Sequence, residues 1–157
     1  MNAISLGDLK IQGAFSAGSL LDLSFHAAIN QHSDLKLSGV LLEPLDERVI
    51  GTEFHLIYNV GAEQKCLFAG YVKQVNQQYE TGVLYFQAII STASWNLDRE
   101  ERTRAFQDTT QTYGKLIKYI SDKKVRPHHG LEGQQTERIY IQYEETDWML
   151  LKRMASQ

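Results

Sequence analysis

Surface chemistry needs a nucleophile beside a base, or several ligands converging on one metal, and few side chains here could supply either. The sequence holds five histidines, one cysteine and scattered carboxylates. His128 and His129 are adjacent, so in an extended segment they point to opposite faces, and no Cys-x-x-Cys or His-x-x-x-His completes a metal set. His26 and His32 flank the end of an alternating stretch, and His55 sits on the polar side of another, where an exposed or hydrogen-bonded imidazole is the ordinary role. Glu144, Glu145 and Asp147 could pair as acid and base, yet helix capping and the helix dipole alone account for acidic residues before and inside a first turn. Cys66 lies among apolar neighbours, the setting of an inert thiol, and alone it closes no intrachain disulfide, which suits a reducing compartment. The glycines of Gly13-Ala14-Phe15-Ser16-Ala17-Gly18 lack the Lys-Ser/Thr of a phosphate loop. Tyr113 and Trp148 read as core anchors. No catalytic, metal or cofactor site is expected, and the chain reads as non-enzymatic.

The elements around these residues are mostly strands. Leu21, Leu23, Phe25, Ala27 and Ile29 alternate with polar residues over Leu20 to Ile29, and Leu35, Leu37, Gly39 and Leu41 repeat the pattern. Pro44 marks a turn within Glu43 to Arg48. Thr52 to Val60 alternates again, and Gly61 to Gln64 has the length of a hairpin loop leading into Lys65 to Val75. Gln77 to Gly82 links that strand to Val83 to Ile90. These last two strands are apolar at both parities, which predicts cover on both faces. The implied fold is mainly β with some α: an antiparallel β-barrel over residues 1–95, followed by two short helices.

Beyond residue 95 the pattern changes. Leu97 to Arg104 holds six charged residues in eight and reads as an exposed connection. A helix is predicted over 110–122, a long loop over 123–137, a strand over 138–143, and a helix over 146–157 with Trp148, Leu151 and Met154 on one face. Residues 96–157 are expected to pack on or beside the barrel as one domain.

With 16 Lys and Arg against 19 Asp and Glu the formal net charge is −3, and no basic block exists to draw nucleic acid. At 43% hydrophobic the chain can bury a core, yet it has no apolar run long enough to span a membrane and no signal-peptide pattern.

Two phrases carry more information. Ala105 to Tyr113 contains Phe106, Gln107, Asp108, Thr112 and Tyr113, and Tyr140 to Ser156 contains Tyr143, Thr146, Asp147, Trp148, Leu151, Lys152 and Arg153. Together they resemble the phage late control D and VgrG family of baseplate hub proteins. His32 to Gly39 and Leu67 to Val72, with Gly39 and Gly70, resemble its strand-and-glycine pattern. The sequence departs from the family at Ala105, where serine is frequent, and at Met149-Leu150. The resemblance implies a barrel like the tail-tube fold and a structural role joining tail tube to spike, in a phage tail or a type VI-like injection system. It implies motif residues with structural roles, no cofactor, and as partners the chain itself, as a trimer in the full-length hub, with tube and spike proteins. Assembly in the bacterial cytoplasm and delivery into a virion tail or injection apparatus follow, and family length suggests an N-terminal portion of a longer hub. An alternative reading is a small-molecule or carbohydrate-binding barrel lined by Tyr58, Tyr71, Tyr85 and Trp95. A hydrolase using His26 or His55 has no spacing to support it.

Overall fold

A computed structural model describes residues 5–60, 63–122 and 129–156. The chain forms two compact units, Met1–Thr92 and Ala93–Gln157.

The first unit is one antiparallel six-stranded sheet built from β1 (Leu9–Gly13), β2 (Ala17–His26), β3 (Asp34–Leu41), β4 (Glu53–Val60), β5 (Glu63–Glu80) and β6 (Val83–Ser91). Its order is β1-β4-β5-β6-β3-β2, and it curls into a half-barrel with β1 and β2 at the edges. Alternation selects the core: Leu35, Leu37 and Leu41 of β3, Phe54 and Leu56 of β4, Val72 of β5, and Leu84, Phe86, Ala88 and Ile90 of β6 are buried together. Phe15, between β1 and β2, plugs this core edge-on to Phe86, with ring centroids 5.2 Å apart.

Three expectations change. The β6 residues between the buried ones are half-buried or exposed, so only one face of this strand is fully buried. In β2 the register shifts between Ala17 and Ser19 and between Leu20 and Asp22, which reverses the facing of the side chains. Leu20 and Leu23 therefore lean on the core and Leu21 is exposed, whereas Phe25 keeps the core-side facing, opposite Leu35 and edge-on to Phe68 at 5.8 Å, yet is exposed near the end of the strand, and Ile29 lies beyond it. The link expected at Gln77 to Gly82 is strand as far as Glu80, because Gln77 to Glu80 pair with Val83 to Phe86. The chain reverses through Thr81 and Gly82 alone, both at positive φ (47° and 82°), as a two-residue hairpin requires. Glu63 and Gln64 likewise belong to β5; residues 61 and 62 of the expected hairpin loop lie outside the described residues.

The glycines at 39 and 70 are places of close approach. A Cβ on Gly39 would lie 2.1 Å from the Ser19 carbonyl oxygen, and one on Gly70 2.3 Å from that of Ser91. Only glycine admits the neighbouring backbone there.

The second unit opens with a 3-10 turn, Ala93–Asp98, and continues through β7 (Glu101–Phe106), α1 (Tyr113–Ile120), a short turn at His129–Leu131, β8 (Tyr140–Thr146) and α2 (Asp147–Ala155). The predicted exposed connection thus contains a strand, whose charged side chains belong to a two-stranded ribbon with β8. The helix expected at 110–122 is shorter, because Thr112 caps it by accepting from the Lys115 N–H. The strand expected at 138–143 runs 140–146, and the helix expected from 146 begins at Asp147 because Thr146 is its cap. Residues 123–128 of the long loop, with His128, lie outside the described residues. Leu116, Ile120, Tyr140, Leu150 and Met154 form a separate core. On α2 the buried apolar pair is Leu150 and Met154, Leu151 packs at the margin of that core, and Trp148, expected as a core anchor, is half-buried.

Candidate functional site

The two sequence phrases meet in the second unit. Beyond the β7–β8 ladder, the segment after β7 continues to pair with the chain returning to β8. Glu137 N–H donates to Thr109 O (3.1 Å), Thr136 N–H to Gln111 O (2.9 Å) and Tyr113 N–H to Gln134 O (2.8 Å). The unit is therefore a long antiparallel ribbon with α1 set into its far end. Gly114 sits where this return passes closest: a Cβ there would be 2.7 Å from the Glu132 carbonyl oxygen.

Side chains of the first phrase shape this turn. Asp108 accepts from the Thr110 hydroxyl (2.6 Å) and N–H (2.9 Å), and those bonds hold its carboxyl below the usual carboxylate pKa. Phe106 stands edge-on to Tyr119, with Arg104 over its face at 5.2 Å. Gln107 is exposed. The Tyr113 and Tyr140 hydroxyls are 3.0 Å apart, and burial, reinforced by that bond, pushes Tyr140 up to about 12.

The second phrase builds a buried polar network. Asp147 accepts from Arg104 and from Gln142 Nε2 (3.0 Å), with Arg102 at 3.5 Å. Gln142 accepts from Arg104 Nε (2.6 Å) and donates to Glu145 O (2.8 Å), so this fully buried amide is paired at both ends. Thr146 caps α2 through Met149 N–H (3.1 Å) and donates to Asp98. Arg153 binds the Glu145 carboxylate and the Ile141 carbonyl (2.6 Å), and Lys152 lies 6.0 Å from the centre of the Trp148 ring. A bulge at Tyr143-Glu144 places Glu144 at φ 46° and sets the register that brings Glu145 opposite Arg102. Tyr143 points outward, and with Ile139 and Ile141 it leaves one face of β8 apolar and exposed, at 68%, 58% and 60%.

The other candidates do not converge. Tyr71 pairs with Glu53 on one side and Ser91 on the other. The register thus sets Tyr58 five residues and Tyr85 six residues along from it, about 16 and 20 Å at strand rise. Trp95 belongs to the second unit, 5.2 Å from the Arg99 guanidinium. His26 pairs in register with Asp34, whose carboxylate accepts from Ser91 Oγ (2.7 Å) and faces Lys73 at 3.9 Å. His55 is half-buried on β4, opposite Gln12 and Ala69. Cys66 is exposed, not sheltered among apolar groups. Among the described residues no three His, Cys, Asp or Glu side chains gather to hold a metal, and no helix is long and apolar enough to cross a membrane.

The curled sheet followed by the helical ribbon is a fold found in contractile-tail proteins. The E. coli c3393 protein, described as a component of the type VI secretion system with structural similarity to T4 bacteriophage tail proteins gp27 and gp5, aligns with a TM-score of 0.60 at 14% identity, covering 94% of this chain and 42% of that one. The 43 kDa tail protein of prophage MuSo2 from Shewanella oneidensis aligns with a TM-score of 0.69 at 12% identity, covering 96% of this chain and 49% of that one. The chain spans less than half the length of either. None of the curated proteins matches the sequence significantly. The profile of the phage tail baseplate hub (GPD) family matches residues 18–157. This chain belongs to that family and is a structural tail component.

Proposed function

We propose that this chain is a non-enzymatic part of a hub that joins a tail tube to its spike. It acts in a phage tail or a type VI-like injection apparatus, assembled in the bacterial cytoplasm from copies of itself together with tube and spike proteins. The observation that carries this reading is the baseplate hub profile, which runs through both units rather than over one of them. The exposed apolar face of Ile139, Ile141 and Tyr143 supports it, since such a patch suits burial against a neighbour. The motif residues Phe106, Gln107, Asp108, Thr112, Tyr113, Tyr143, Thr146, Asp147, Trp148, Leu151, Lys152 and Arg153 serve to shape the second unit rather than to do chemistry. Light scattering across a size-exclusion peak, at several concentrations and with a tail-tube subunit added, tests the proposal. Self-association into trimers, or a stable complex with the tube subunit, is the expected result. A chain that stays monomeric at every concentration and ignores the tube subunit contradicts it.

A further inference from the structure

Within the first unit β4 pairs with β5 only as far as Tyr71. Past that point the segment joining β3 to β4, Leu42 to Thr52, takes over as the neighbour of β5. Gly51 N–H donates to Val72 O (2.7 Å) and Val72 N–H donates to Thr52 O (3.1 Å). Further along, the Gln77 side chain grips the segment a second time: Leu45 N–H donates to its Oε1 (2.8 Å), and its Nε2 donates to Leu45 O (2.9 Å). One exposed amide side chain thus stands in for a backbone bridge, meeting both the donor and the acceptor of Leu45.

Between these two grips the segment has a shape of its own. Asp46 caps the 3-10 turn Glu47–Val49 by accepting from Arg48 N–H (2.8 Å), and the Thr52 hydroxyl donates to Val49 O (2.6 Å). Of its side chains only Val49 is buried, with Leu45 half-buried beside the core, and Leu42 is 77% exposed. A cleft of about 590 Å³ lies among the segment, Ala14, Phe15 and Ser16, so the segment is undercut where it passes the turn between β1 and β2. Few buried side chains and solvent-exposed anchoring bonds are the marks of a piece that opens well before the whole domain unfolds.

We propose that Leu42 to Thr52 is a strap that opens in one piece while the sheet stays folded, and that Gln77 is its latch. Opening bares the outer edge of β5 beyond Tyr71 and the flank of Phe15. The inference rests on the first unit alone and does not depend on the hub assignment. The test is residue-resolved amide hydrogen exchange, followed by NMR on the full chain. It compares three strap amides with different acceptors, Leu45, Val49 and Gly51, with Leu37 and Ala88, a buried pair across β3 and β6. The three strap amides are expected to share one protection factor, at least about tenfold below that of Leu37 and Ala88. Gln77→Ala removes both bonds of the latch and should speed all three together by about fivefold. Leu35→Val thins the core on β3, two strands from β5, and weakens the closed and open forms alike. It should therefore speed Leu37 and Ala88 by about fourfold, the worth of one buried methylene, and leave the strap amides unchanged. Strap amides as well protected as the sheet pair, three strap amides that respond separately or not at all to Gln77→Ala, or strap amides that accelerate with the sheet in Leu35→Val each overturn the proposal.

Discussion

Gly70→Ala should loosen the half-barrel by an amount that can be worked from the backbone alone. The added Cβ would stand 2.3 Å from the Ser91 carbonyl oxygen and 3.0 Å from a ring carbon of Phe68. Ordinary carbon-to-oxygen contact is about 3.3 Å, so β5 and β6 must part locally by about 1 Å. No rotamer relieves this, since the blocking atom belongs to the ladder. Overpacking of this kind costs about 3 kcal/mol, offset by about 0.5 to 1 kcal/mol because alanine suits a strand better than glycine. The net is about 2 kcal/mol. With a urea slope near 2 kcal/mol/M the midpoint falls by about 1 M. Both tryptophans, Trp95 and Trp148, lie in the second unit, so far-ultraviolet circular dichroism must follow the sheet while tryptophan fluorescence follows the other unit. Gly39→Ala, at 2.1 Å from Ser19 O, should behave the same way. Gly133→Ala, with nothing within 4 Å, should instead gain about 0.4 to 1 kcal/mol. A Gly70→Ala midpoint within about 0.2 M of the parent refutes the close-approach reasoning.

Other perturbations probe the second unit. Asp147→Ala leaves the Arg104 guanidinium and the buried Gln142 amide without their shared acceptor, and should cost about 3 kcal/mol in a fluorescence-monitored melt. An unchanged melt means the network is dispensable. Thr146→Ala removes the cap on Met149 N–H and the bond to Asp98; a loss of about 1 to 2 kcal/mol is expected, with Thr146→Ser restoring most of it. Tyr140 has its pKa raised by burial and by Tyr113 to about 12, so its contribution is complete below pH 10 and is lost as pH climbs through 12. Absorbance at 295 nm should show one tyrosine ionising late, together with unfolding. Simultaneous titration of all eight near pH 10 contradicts the assignment.

Alternation made β3, β4 and β6 readable because each lays one face on a single core. β1 was missed because Leu9 and Ile11 are too few to establish a period. β7 was missed because its arginines serve a polar network with Asp147 and Gln142, and a charged strand looks like a loop when its partner lies 40 residues away. In β2, bulges shifted the facing of a pattern that was otherwise visible. The motif phrases were legible as a resemblance, whereas the partners that explain them, Arg104 and Gln142, become meaningful only once β7 and β8 are paired. Gly114 and Thr136 had no signal at all: each owes its role to a chain segment returning from a distance.

The strand order of the first unit also governs when it can fold. Among the described strands, β6 is the one whose ladder hydrogen-bonds the β1-β4-β5 side to the β3-β2 side, and it joins Asp34 to Ser91 across 57 residues. Until β6 leaves the ribosome, β3 and β5 each present an unpaired inner edge, and most of the core has nothing to close upon. Contacts of such sequence separation form slowly. Folding of this unit is therefore a late, nearly all-or-none event in synthesis, and a nascent chain stalled before residue 83 exposes two edges that can pair with the wrong strand.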